Sequence, residues 1–523
     1  VSSALSHPLV ADVPAARLDV RLVPAALAGW LVTAIGIVWP IGNVLAALCI
    51  VAAAAGALLL RRVGLRTIGV SLAAVGVVGA GFGFAVALRA EAAARHPITT
   101  AFGTAAKVTV TPSESALPVG RGRLMFRATL QRVGPDEISG RVVVFAPAHA
   151  FGDVMVGQPA QFRARITRPT RHDLTVAVLN AIGEPTMGRA APVYRAAHAV
   201  RAQFAGTARR VLPADQAAML PALVLGDTSQ ITAVTSREFR VAGLTHLMAV
   251  SGANVTIVCG AVLFSARLVG PRAAVVFAAC ALVVFVVVVQ PTASVLRAAV
   301  MGAIALAGVL SARRRQAIPA LSATVLVLMV AAPQLAVDVG FALSVVATAA
   351  LVVIAPVWSR RLVSAGWPKP LADAICVACA AQLVTAPLVA GISGQVSLVS
   401  AIANLAVAAL IAPITVMGSA AAALGLFWPA GAQLLIRFTG PELWWVLHIA
   451  RWAAAVPAAS VPVPSGVRGV VFVGAVAVLA VVLWRWRWFR VAAAVGAVGL
   501  LAWSLSGVVP TRLLSAGRDT IEW

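Results

Sequence analysis

The stretch GLTHLMAVSGANVTIVCG, residues 243–260, is long and apolar enough to enter a bilayer, yet His246, Ser251 and Asn254 interrupt it. At about 100° of helical rotation per residue, Asn254 falls about 80° and Ser251 about 140° round from His246, so one side of a helix holds all three. Gly252 beside Ser251 permits a local bend or a close helix contact. Related groups interrupt other apolar segments: Arg297 in QPTASVLRAAVMG (290–302), Asp338 in VDVGFALS (337–344), and, deeper, Gln382 and Asn404. A charged group at mid-bilayer costs at least about 2.5–3.5 kcal/mol on insertion scales, so such residues face a bundle interior or a water-filled path. The chemistry on offer is hydrogen bonding and charge solvation for something polar that crosses lipid. For single residues a structural reading competes, in which Arg297 pairs with Asp338 and the amides join helices. Several together point to a polar route.

Bond-making chemistry is not expected. The seven histidines are scattered at 7, 96, 149, 172, 198, 246 and 448, without an HxHxDH run. Clustered His/Asp ligands for a metal nuclease are therefore missing, as is a GxxxxGK[ST] phosphate loop. No catalytic residue, metal or cofactor is assigned, and energy from ATP has to come from a partner. Cys376 and Cys379 form CVAC inside an apolar helix, where small packing residues fit better than a redox pair.

These side chains need apolar helices to position them. Of the 523 residues, 61% are hydrophobic and 11% charged, against roughly 45–50% and about 25% in soluble domains. The composition is that of a polytopic α-helical membrane protein, with about 10–13 transmembrane helices by segment count. The net charge is +24, and all of the 41 basic residues except Lys107 and Lys369 are arginine. Arginine with abundant Ala, Val and Gly fits a GC-rich genome, and many arginines fall in short loops where the positive-inside rule puts them. Charge alone therefore says little about a nucleic-acid partner.

Residues 1–22 read as a cytoplasmic tail and 23–90 as three helices, the first two broken at Pro40. The third delivers the chain outside. Residues 91–188 then alternate with period two in five short segments, which predicts a small extracytoplasmic β domain, OB-like by strand count. Residues 189–240 form a connector that starts with a basic amphipathic helix, Arg195, His198, Arg201 and Arg209 set against Val193, Val200 and Phe204, of the kind that lies on a membrane surface. The second membrane domain covers 241–508, with spans from 244–267 to 489–507 and a weak one at 432–455, and 509–523 is a short tail. Basic clusters at Arg267/Arg272, 312–316, 359–369 and 485–490 fit one register with cytoplasmic loops.

The segments LPALVLGDTS (220–229), AGLTHLMAVSGANV (242–255), PTASVLRAAVMG (291–302), APQLAVDVGFALSVVATAAL (332–351) and QLVTAPLVAGISGQVSLVSAIANLAVAAL (382–410) resemble, in order and spacing, the ComEC family of bacterial competence proteins. The resemblance implies an inner-membrane channel for transforming DNA, with an OB-like external domain before it. Two departures stand out. Ala253 and Asn254 replace the Leu-His that follows Ser-Gly in many members. The metallo-β-lactamase-like domain that often follows is not found by motif, and the sequence runs only about sixteen residues past its last expected span. The expected function is uptake of single-stranded DNA across the cytoplasmic membrane during natural transformation. Transport of another polar solute or polymer on the same scaffold, or an inactive relic, are the alternatives. The path residues are His246, Ser251, Asn254, Arg297, Asp338, Gln382 and Asn404. Arg121, Arg123, Arg127, Arg132, Arg163 and Arg165 offer external DNA contacts or a merely solvated basic surface, while Phe126, Phe145 and Phe162 sit where core residues would. Expected partners are single-stranded DNA, the lipid bilayer, a DNA receptor, an ATP-driven helicase and a separate nuclease; a homo-oligomer is left open.

Overall fold

The computed structural model describes residues 19–120, 122–310, 316–488, 490–492, 495–496 and 499. The basic residues 313–315 and most of the expected span 489–507 lie outside the described residues. Three N-terminal helices come first: α1 (Val23–Val38), α2 (Gly42–Leu59) and α3 (Arg66–Ala94). Proline at position 40 lacks the N–H that a continuous helix needs, and the chain turns there.

Helices α2 and α3 pack backbone to backbone. A Cβ on Gly76 would sit 2.6 Å from both the Ala53 nitrogen and the Cys49 carbonyl oxygen. Small residues allow this approach, which supplies packing where lipid removes the hydrophobic drive between helices. Gly76→Leu is expected to lower the thermal stability of the solubilised protein by more than the about 1–3 kcal/mol typical of overpacking, because backbone cannot give way. Gly81→Leu on the same helix, with nothing within 4 Å of its Cβ position, leaves stability unchanged.

Six strands follow: β1 (Ala105–Pro112), β2 (Leu117–Pro118), β3 (Arg123–Val133), β4 (Asp136–Pro147), β5 (Ala160–Thr167) and β6 (Ala177–Met187), with a one-turn helix α4 (Ala148–Phe151) after β4. The sheet runs β1-β5-β6-β4-β3-β2, and β1 also pairs with β3, so five strands close into a small barrel. Neighbours are antiparallel except β4 and β6, which are parallel. Alternation fills it: Val108, Val110, Phe126, Leu130, Val144, Phe162, Ile166 and Leu179 are buried. Phe145 departs from expectation. It belongs to the outward set of β4, between buried Val144 and Ala146, and lies under the Arg123 guanidinium at 5.7 Å.

The connector holds α5 (Pro192–Val211), α6 (Ala214–Leu225) and α7 (Ala233–Val241). Helix α5, expected on a membrane surface, turns its apolar side to protein. Phe204 and Ala208 enter the main core with α6, whereas Val193 is exposed. The Arg201 side chain is only 11% exposed, because it donates to two helix-end carbonyls, Leu225 at 2.7 Å and Val288 at 3.1 Å. Last-turn carbonyls lack partners within their own helix, and this arginine supplies them.

The second helical region comprises α8 (Gly252–Ala266), α9 (Pro271–Val289), α10 (Ala293–Leu310), α11 (Ala317–Ala331), α12 (Val339–Val353), α13 (Ala355–Ser364), α14 (Lys369–Ser393), α15 (Ser400–Leu424), α16 (Pro429–Phe438), α17 (Gly440–Ala455) and α18 (Val467–Leu483). A short two-stranded antiparallel sheet, β7 (Gln395–Ser397) with β8 (Ser460–Pro462), ties α14 to α18. The expected span 432–455 is two helices, and 336–357 breaks at Ile354 before Pro356. Among the described residues, six helical segments are long and apolar enough to cross a membrane, and six more apolar helices are shorter, at 10–17 residues.

Candidate conduit between the barrel and the helices

The opening stretch is not one helix. Helix α7 ends in a left-handed turn: Gly243 has φ +71°, the Leu244 N–H donates back to the Phe239 carbonyl at 2.8 Å and the Gly243 N–H to Arg240 at 3.2 Å. This cap requires a positive φ that only glycine adopts without strain, and Leu244 packs with Phe239, both fully buried. A single 3₁₀ turn covers Thr245–Leu247, and α8 starts only at Gly252, with Ser251 as its N-cap. The helical phase expected for His246, Ser251 and Asn254 therefore fails. His246 is exposed in the turn, whereas Asn254 is buried within α8. Irregular backbone at membrane depth persists only where protein buries it or a water-filled cavity borders it.

One end of this break meets Arg297, on α10. Arg297 is 6% exposed, and its guanidinium donates from Nε to the Ser344 hydroxyl at 2.6 Å and from Nη1 to the Met301 sulfur at 3.1 Å. A Cβ on Gly252 would lie 2.8 Å from its Nη2, so it stands against the N-terminus of α8, the positive end of that helix dipole. Among the described residues it has no carboxylate partner. The expected pairing with Asp338 does not form. Asp338 instead caps α12, accepting from the Phe341 N–H at 2.8 Å, and approaches Arg127 of the barrel at 3.9 Å. Beside Arg297, Ser251 donates to the Asn254 side-chain oxygen at 3.2 Å, and Asn254 donates to the Leu223 carbonyl at 2.9 Å. Asn254 thus serves the end of α6.

The other end of the break meets a second polar group. Ser400, at the start of α15, donates to the Gln382 side-chain oxygen at 2.9 Å and faces the Gly243 carbonyl at 3.5 Å. Asn404 donates to the Ser400 carbonyl and hydroxyl at 2.9 and 3.2 Å. The adjoining Ser397 hydroxyl is buried without a hydrogen-bond partner among the described residues. Sequence reasoning missed Ser344 and Ser400, which join the expected residues into these two groups. Serines in apolar helices usually bond their own backbone, so their spacing carried no signal.

Between the barrel and the helices lies a cavity of about 2260 Å³. Val38, Val250, Gln290, Ser294 and Val339 line it, so the helix ends that the charge register puts outside all lie on the barrel side. Ser294 links the cavity to the first polar group, its hydroxyl 3.3 Å from that of Ser344. Six arginines line the space: Arg127, Arg141, Arg171, Arg201, Arg237 and Arg240, with five carboxylates. Three of those are committed, Glu114 and Asp338 to Arg127 and Asp227 to Arg201. The other four arginines form no ion pair among the described residues. Burial, with Arg127 next to it, lowers Arg141 from the usual arginine value, opposed by Glu114, Asp173 and Asp338.

The barrel's expected contacts divide. Arg121 lies outside the described residues. Arg127 is taken by carboxylates, and Arg132 pairs with Glu137 at 3.6 Å. Arg123 donates to Asn180 at 3.2 Å. Exposed Arg163 and Arg165 stand on β5, and Arg163 is directly opposite Lys107 of β1. Like charges facing each other across strands destabilise a sheet, so this pair has a cost that an anion would relieve.

A family model described as Competence protein matches residues 223–488, a little over half of the chain, and so covers the helix break, Arg297, Asp338, Gln382 and Asn404. No curated protein and no solved structure matches the chain. With its six long apolar helices, this is a multi-pass membrane protein belonging to the competence protein family, which ties it to DNA uptake.

Proposed function

We propose that the chain conducts single-stranded DNA inward across the cytoplasmic membrane, through the arginine-lined cavity and past the helix break beside Arg297. The observation that carries this is the junction of the two: a cavity with uncommitted arginines whose floor, at Ser294, connects through Ser344 to a buried guanidinium at a helix N-terminus. Phosphates need such a positively biased, water-filled route through lipid. Asn254 and Asp338 act here as supports of the route, His246 and Ser251 as hydrogen-bonding groups along it, and Gln382 and Asn404 as the second polar station.

The barrel is OB-like in this reading. Its strands connect in the order β1-β3-β4-β6-β5 and back to β1, with α4 after the third. Binding surfaces of that fold lie on the second and third strands, which here carry Arg123, Phe145 and Arg141 outward, a cationic face with an aromatic platform as single-strand binders use. The shorter apolar helices α1, α8, α10, α11 and α18 complete the membrane spans, the barrel facing outside. The chain is a conduit and not an enzyme; a receptor, an ATP-driven helicase and a nuclease are separate partners. A clean deletion strain tests the proposal: labelled DNA still binds the surface, internalisation is lost, and the wild-type chain restores it. A deletion strain that transforms normally and loses a different solute supports a transporter of that solute instead.

A further inference from the structure

The loop between β1 and β2 fixes one carboxylate at the cavity. Ser113 anchors it to the barrel, its N–H and hydroxyl both donating to the Arg127 carbonyl at 2.9 and 3.1 Å. Two residues on, the Ser115 hydroxyl donates to the Gln290 side-chain oxygen at 2.5 Å, between α9 and α10. Glu114 is held between these anchors, and both its oxygens accept from one Arg127 nitrogen, Nη1, at 3.0 and 3.1 Å. It also offsets the charge of Arg141 through space. A loop that only fastened the barrel to the helices would need the Ser115 contact alone. A carboxylate on an outward arginine takes up a charged donor that a phosphate oxygen would otherwise accept from.

Resting on the DNA reading above, we propose that Glu114 is an intramolecular competitor for phosphate: it holds Arg127 until a polyanionic strand displaces it, and so sets how readily single-stranded DNA enters the cavity. Arg127 and Glu114 are both about one-third exposed, so the exchange takes place in contact with water and each step is small. With Glu114 displaced, Arg127 and Arg141 both face the strand, while Asp338 stays in place as the cap of α12.

The test is equilibrium binding of a fluorescent oligo-dT of ~20 nucleotides, longer than the about 4–16 nucleotides one barrel of this kind covers, to the purified full chain in nanodiscs across a salt series. Glu114→Gln is expected to bind about three- to fivefold tighter, the fold-change matching release from a partly exposed ion pair. The log–log salt dependence is expected to steepen by roughly 0.7, one added phosphate contact. Glu91→Gln removes the same charge at the exposed Arg95 pair and leaves both values unchanged. Adding Arg127→Gln to Glu114→Gln removes the gain. Equal effects of the two glutamate variants, an unchanged or weaker Glu114→Gln, or a gain that survives without Arg127 would overturn the competitor role while leaving the DNA reading standing. Absence of salt-dependent oligonucleotide binding by the wild-type chain and every variant would overturn both.

Discussion

Arg297→Ala is expected to reduce DNA internalisation about a hundredfold or more, in line with the roughly 2–5 kcal/mol lost when a buried charged contact is truncated. The protein level is expected to hold or rise. The reason is the absence of a carboxylate beside this guanidinium among the described residues: Ser344 and Met301 satisfy its geometry without neutralising it. Removing one member of a buried ion pair strands the other charge and destabilises by about 3–5 kcal/mol. Removing an uncompensated charge strands nothing. Uptake in complemented deletion strains, with the chain quantified in membranes, separates the cases. Arg297→Lys keeps the charge without the planar fork and falls in between. A variant that loses protein level in step with uptake would make Arg297 a structural pin.

Gly243→Val is expected to have the largest effect on the helix break itself. Two independent costs meet at that position. The left-handed backbone costs a non-glycine residue about 1–2 kcal/mol, and the new Cβ would lie 2.4 Å from both Cβ and Oγ of Ser400. Ser400 cannot yield cheaply, since it is buried and bonded to Gln382 and Asn404. The expected outcome is a large fall in thermal stability together with loss of uptake. Gly366→Ala supplies the comparison: its φ is +92° with nothing within 4 Å of its Cβ position, so it shows the backbone cost alone. Similar losses in the two variants would mean that the packing of Gly243 on Ser400 does not matter.

The membrane helices were legible because apolar runs of bilayer length have few other uses, and the barrel was legible because period-two alternation survives in strands such as AQFRARIT. Local breaks were harder. The 3.6-residue pattern of 243–260 runs on without interruption in composition and so predicts one helix through His246 and Ser251, whereas α8 starts only at Gly252. The available signal was Gly243 followed by apolar Leu244 after an amphipathic segment, a helix stop. Long-range pairing was the other gap. Asp338 and Arg297 are neighbours by expectation along adjoining helices, yet Asp338 is drawn to Arg127, 211 positions earlier, through a barrel docking that no local pattern encodes. Arg201 misled for a related reason. A polar residue on a helix reads as solvent-facing until the carbonyls it must cap are placed around it.

The most direct measurement is photo-crosslinking during uptake. A benzophenone side chain is placed at Ala249, on the cavity wall at the helix break, and in a second strain at Val284, which is exposed on the apolar face of α9. Labelled transforming DNA is supplied, and illumination follows while internalisation is under way. The expected result is a covalent adduct between the strand and position 249, with none at 284. Active internalisation with no adduct at 249 would contradict passage of the strand through the cavity beneath the barrel.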